Sequence, residues 1–168
     1  YPDFYPNLKS IGAIHAVIGT IPDQYKWGLK LIGLQGNLTQ GMNELEKFLQ
    51  AGLQGEQLFR EEGVLLHAFF LLHLAAKPDK AWKIASALPI KNNLFNCFVA
   101  ANIALKTGRN EEAINILQQR PIGPSFTNFY FLDYLLGVCK LNRLDTDAET
   151  YLFNFTSNFK GGNYLKDA

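Results

Sequence analysis

Apolar residues recur along this chain at three- and four-residue steps, and nearly every such run is closed by glycine, proline or both. That period predicts helices, and the closures predict helices joined in pairs. Asn7 to Ile21 forms a leading stretch with Ile11, Ile14, His15 and Ile18 on one side, closed by Pro22. The next run carries Tyr25, Leu29, Ile32 and Gly33 to a turn at Gly36 and Asn37. Thr39 is placed to cap a partner helix running through Gly41, Leu45, Phe48 and Leu49 to the Gly52 to Gly55 break. A second pair starts near Glu56 with the most apolar run, Leu65, Phe69, Leu72 and Ala76, which should be central. Its partner begins at Pro78 and Asp79 and turns Ala81, Ile84, Ala85 and Leu88 inward until Pro89. The third pair is Leu94 to Gln119. The fourth opens near Phe126, turns through Leu144 and Asp145, and runs from Asp147 to Phe159.

The turn between Leu105 and Leu117 is the most legible. Phe98, Ala101, Ala104 and Leu105 make one small, apolar face, and Gly108 can take the left-handed conformation that ends a helix. Asn110 is placed as an N-cap, with Glu111 and Glu112 in the first turn, where carboxylates meet the positive end of the helix dipole. Ala113, Ile114 and Leu117 then face inward, Ala113 meeting Ala101 and Ala104 closely.

The pattern K-x-G-x-x-x-E-A-I at this turn resembles a tetratricopeptide repeat, whose period is about 34 residues. Ala101, Gly108, Ala113 and Leu117 match its small, turn-glycine, alanine and large apolar positions. Cys97, Ala104 and Lys140 depart from its aromatic positions, and Pro121 arrives early. The small residues opening successive second helices, Gly41, Ala81, Ala113 and Ala148, lie 40, 32 and 35 residues apart. Pro22 to Leu74 is also similar to the G-F-x-G-x-x-x-x-G-L-x-x-L segment of the eukaryotic inclusion-body-clearance proteins, through Gly33, Gly36, Gly41 and Leu45, and to unassigned helical proteins of bacteria. The resemblance implies an all-α, right-handed α-solenoid of about four degenerate tetratricopeptide-like helix pairs. On this reading residues 1–21 are a leading helix and 22–54, 56–89, 92–121 and 125–160 are the pairs of a single repeat domain. Residues 163–168 read as the start of a further helix, so the chain is expected to be a window in a longer array.

Composition narrows the function classes. Sixteen basic against fifteen acidic side chains give a net charge of +1, so bulk charge recruits neither nucleic acid nor an anionic membrane. The longest apolar run, Val64 to Ala76, is too short to span a bilayer. Cys97 and Cys139 sit inside apolar helical patterns and read as buried free thiols. The first residue is Tyr1 rather than Met, which leaves the compartment of a soluble chain open between cytoplasm and periplasm.

Candidate chemistry is thin. His67 and His73 are six apart and fall on different faces of one helix, and His15 is remote in sequence, so no zinc-type ligand set is expected. Glu56, Glu61 and Glu62 read as a solvated helix start rather than an acid and base pair. No G-x-S-x-G, H-E-x-x-H, C-x-x-C or Walker loop occurs. The expectation is a non-enzyme without metal or cofactor. Phe126, Phe129, Tyr130, Phe131 and Tyr134 are too dense to share one helix interface, so some are expected at a groove or a neighbour.

The tetratricopeptide resemblance implies that the first helices line a concave groove for a peptide or partner helix. Its positions carry over to Lys26 and Lys30, Phe70 and His73, Asn102 and Lys106, and Tyr130, Asp133 and Lys140. The alternative from the same sequence is a spacer segment of a longer solenoid with no ligand of its own. Tyr151, Leu152, Phe153, Phe155 and Phe159 exceed what one neighbouring helix covers, so self-association through the last helix is also expected.

Overall fold

A computed structural model describes residues 5–51 and 59–168. Among these residues there are nine α-helices and no strand: α1 (Pro6–Thr20), α2 (Asp23–Leu31), α3 (Leu38–Ala51), α4 (Arg60–His73), α5 (Pro78–Ala85), α6 (Leu94–Lys106), α7 (Asn110–Gln118), α8 (Phe131–Asn142) and α9 (Ala148–Asn158). The expected break at 52–55 and Glu56 lie outside the described residues. The chain divides into two compact units, Tyr1–Ile84 and Ala85–Ala168.

In the first unit α3 packs on α1 and α4, while α2 makes no comparable helix contact. The α1–α3 interface is a near approach of backbones. A Cβ on Gly12 would lie 2.9 Å from the Gly41 carbonyl oxygen and 3.1 Å from the Leu45 nitrogen, and one on Gly41 would collide with Ala16. Gly12, Ala16 and Ile18 are buried, whereas Ile11 and Ile14, expected inward, are exposed. The close approach on α1 is thus set by its smallest residues: Gly12 and Ala16 let the helices close, Ile18 is buried further along, and Ile11 and Ile14 are turned out. Likewise α3 pairs with α1 rather than with its chain neighbour α2. Asn37, not Thr39, begins α3, its side-chain oxygen accepting from the Gln40 amide at 2.8 Å.

The second unit is built of sequential contacts, α6 with α7, α7 with α8 and α8 with α9, plus α6 with α8. Its core contains Val99, Ile103, Ile114, Leu117, Leu132, Leu136 and Phe155. Ala101, Ala104 and Ala113 are buried together at the α6–α7 approach, where the pattern placed them. Asn110 is the first residue of α7 and does not cap it; its amide donates across to the Cys139 carbonyl at 2.8 Å, tying α7 to α8. Asn93 caps α6 instead, accepting from the Phe95 and Asn96 amides.

Three helices share one ending. Leu34 donates to the Leu29 carbonyl, Arg109 to Ala104 and Asp145 to Lys140, at 2.9, 2.8 and 2.9 Å. In each case the preceding residue, Gly33, Gly108 or Leu144, has a positive φ of 76°, 76° or 61° and donates one turn back. This is the Schellman closure. A looser form ends α4, where Ala76 has φ 50° and Lys77 donates to Leu71. The left-handed residue therefore recurs after α2, α4, α6 and α8.

Residues 163–168, expected to open a helix, form turns. Tyr164 lies against Phe131 and Tyr134, with ring centroids 5.0 and 5.4 Å apart. Of the five apolar side chains on the last helix segment, Phe155 is fully buried, Tyr151, Leu152 and Phe159 are half-buried, and only Phe153 is exposed.

Candidate functional site

The second unit carries a groove of about 200 Å³ where the 119–130 connection crosses the start of α8. Pro121 and Gly123 carry the chain away from α7 and back to Tyr130, leaving Leu94, Phe126 and Phe129 as apolar walls. The floor is polar. Asp133, in the first turn of α8 and 7% exposed, accepts from Arg120 Nη2 at 2.5 Å and from Asn154 Nδ2 at 2.8 Å. Arg120 Nη1 also donates to the Leu117 carbonyl at 3.1 Å, so its guanidinium is held flat by two partners. Asn128 Nδ2 donates to the Tyr130 hydroxyl at 3.1 Å.

Each Asp133 oxygen accepts one of these bonds, so the carboxylate holds Arg120 and Asn154 in place at the groove floor. A guanidinium, amides and a phenol between aromatic walls suit the carbonyls and side chains of an extended peptide. Behind the groove the aromatic residues are continuous: Phe129 and Phe131 meet Phe98, and Phe131 and Tyr134 meet Phe155 and Tyr164. Phe126 and Phe129 precede α8 rather than lying on it, which is how the crowded rings separate into groove wall and core.

The first unit has a groove of about 260 Å³ beside α2, lined by Ile18, Lys26, Leu29, Lys30, Leu34 and the Asn37 and Gln40 side. Lys26 Nζ is 2.8 Å from Asp23 Oδ1. No residue of α2 is buried. Tyr25, Trp27, Leu31 and Ile32 are 61%, 67%, 77% and 70% exposed.

The structure thus brings Lys26 together with Lys30, and Tyr130 with Asp133. The others stand apart from these grooves. Phe70 is half-buried and His73 exposed on α4, the His73 ring stacked on Phe69 at 5.4 Å. Asn102 is half-buried and Lys106 exposed on α6. Lys140, expected to face a ligand, is only 5% exposed; its ammonium donates to both Asp147 oxygens at 2.9 and 2.7 Å and lies over the Tyr151 ring. The hydrogen bond to Asp147 raises its pKa, so its charge serves the α8–α9 turn. Arg120, Asn128 and Asn154 were not anticipated. For Arg120 alone a hint was present: Asp133 is an isolated acid in an apolar run, and Arg120 is the base nearest before it.

Several other titratable groups are paired or buried within the fold. His15 Nδ1 lies 2.6 Å from Glu44 Oε2 at the α1–α3 contact, and Lys9 pairs with Glu62. His67 is buried, neither ring nitrogen is hydrogen-bonded, and burial lowers its pKa, opposed by the charge of Glu46 3.6 Å away. Cys97 and Cys139 are free and buried, and burial pushes the Cys139 thiol up to about 11. Among the described residues no three His, Cys, Asp or Glu side chains are grouped to hold a metal, and no helix is long and apolar enough to cross a membrane.

Compared with known proteins, the chain matches no family model, no curated protein and no solved structure.

Proposed function

We propose that this chain is a non-enzymatic interaction module, a right-handed stack of degenerate tetratricopeptide-like helix pairs that holds an extended peptide or a partner helix. The repeat reading is supported by the left-handed closure that recurs after α2, α4, α6 and α8. The binding reading is carried by the groove at Arg120, Tyr130 and Asp133, where polar groups already fixed by internal bonds line an aromatic-walled cleft. Fixed donors bind with less loss of side-chain freedom than mobile ones. The spacer reading is favoured by a different observation: Lys140 is consumed by an internal ion pair.

Selection of peptides from a displayed random library against the full chain tests the proposal. Selected peptides should bind in the micromolar range by fluorescence anisotropy, and Thr127→Arg, which fills the groove mouth, should weaken them at least tenfold. Any self-contact through α9 rests on Phe153, so Phe153→Asp is the control that separates peptide binding from self-association. Peptides that ignore Thr127→Arg, or a library yielding none, would leave the spacer reading in its place.

A further inference from the structure

We infer that α2 is an interfacial helix that docks the first unit on an anionic membrane surface. The surface is separate from the groove of the second unit and stands or falls independently of it. At 100° per residue, Tyr25, Trp27 and Leu31 fall within an arc of about 160°, and Ile32 follows as the residue that ends the helix. All four are exposed, so the apolar arc of this helix points to solvent rather than to a core. Half-buried Leu29, the Lys26 stem and, about 60° round the helix from Trp27, exposed Lys30 lie outside that arc and line the groove beside α2. This inverts the ordinary arrangement of a surface helix.

Pro22 and Gly33 bracket the element. The Pro22 carbonyl accepts from Tyr25, and Gly33 closes the far end with φ 76°, so the helix is presented as a defined unit. Several features select the occupant. Tyr25 and Trp27 are the residue types that favour the headgroup level of a bilayer, with apolar rings and polar edges. Leu31 and Ile32 project beside them, giving a convex ridge that a bilayer accommodates without a preformed pocket. The helix carries Lys26 and Lys30 against the single acid Asp23, and Asp23 pairs with Lys26. Lys30 is left as local positive charge that can reach lipid phosphates and carboxylates. The net charge of +1 for the whole chain provides no such attraction by itself, so the binding is local to this ridge.

The test uses the full chain in a Trp82→Phe background, which leaves Trp27 as the sole tryptophan. Phosphatidylcholine vesicles are prepared with and without phosphatidylserine, some with bromine-labelled acyl chains. With phosphatidylserine, Trp27 emission should shift to the blue and be quenched by the brominated chains. Lys30→Gln should lower the partition coefficient about fivefold, and Leu31→Ser about tenfold, with helix content by circular dichroism unchanged. If Trp82→Phe unfolds the chain, flotation of the natural sequence against Leu31→Ser gives the same comparison. Absence of bromine quenching in a folded chain would overturn the inference. Equal binding to phosphatidylcholine alone would overturn its anionic part. A dimer in sedimentation that already shields Trp27, or a protein ligand that shields it when vesicles do not, would assign the ridge to that occupant instead.

Discussion

The two units differ in how their closest helix pairs meet. In the first, α1 and α3 approach backbone to backbone at Gly12, Ala16 and Gly41, with Leu45, Phe48 and Leu65 buried in the same unit and Ile11, Ile14 and Val17 left outside. In the second, α6 to α9 close around Phe155, Leu132, Leu136, Ile103 and Leu117, with aromatic rings continuing to Tyr164. Both units also sink charge: Asp133 and Lys140 in the second and Lys9, paired with Glu62, in the first are below 10% exposure, while Lys26 and Asp23 pair in the open. Backbone proximity gains dispersion contact rather than removal of large apolar area from water. The first unit keeps Tyr25, Trp27, Leu31 and Ile32 exposed together on and just after α2, whereas the exposed apolar side chains of the second, Phe95, Ile122, Leu144 and Phe153 among them, are spread over different elements.

Mutations can separate these modes, beginning with the largest effect. Phe155→Ala should cost about 3 to 5 kcal/mol in urea unfolding, because the ring is fully buried among Phe131, Tyr134 and Phe159. Asp133→Ala, which leaves the Arg120 guanidinium without its partner at the groove floor, should cost about 3 kcal/mol. Ala113→Leu at the α6–α7 approach should cost about 1 to 3 kcal/mol by overpacking; a cost near that of the exposed control Gln118→Leu would remove small-residue packing from the second unit altogether.

The smallest effect is one of pH. His67 has a pKa lowered in the folded chain, chiefly by burial, from the ordinary imidazole value of about 6.5. The unfolded chain therefore binds the proton more readily, and stability falls as pH drops from about 6.5 toward the lower folded pKa. His67→Gln should flatten the thermal midpoint against pH across that window. An unchanged slope would place the acid sensitivity elsewhere.

Helix identity and most helix ends were legible in the sequence, because hydrophobic period and glycine closure act locally. Gly108 was readable as a turn and the turn through Leu144 and Asp145 was expected, whereas Gly33 was read as part of the run before Gly36 and Asn37 and Ala76 as part of the apolar helix, because a left-handed residue inside an apolar run has no local signature. The inward face of α1 was misread because hydrophobic period weighs large side chains, while the interface was chosen by glycine and alanine. Pairing α2 with α3 assumed that chain neighbours touch. In the candidate site, Tyr130 and Asp133 were reachable by repeat register, but Arg120, Asn128 and Asn154 arrive from a loop and another helix. Their meeting depends on how the 119–130 connection crosses α8, and loop paths carry little pattern.

The contrast between the units is tested most directly by a pair of thermal melts in the first. On an exposed helix, glycine to alanine stabilises by about 1 kcal/mol. At Gly41 the added methyl would strike Ala16 and the Gly12 carbonyl, so Gly41→Ala should lower the melting temperature, and Ile14→Ser, which removes a far larger apolar group from the outer face of α1, should leave it within the range of a neutral surface change. A higher or unchanged melting temperature for Gly41→Ala, together with a large loss for Ile14→Ser, would mean that α1 packs by its isoleucines and that the account of the first unit is wrong.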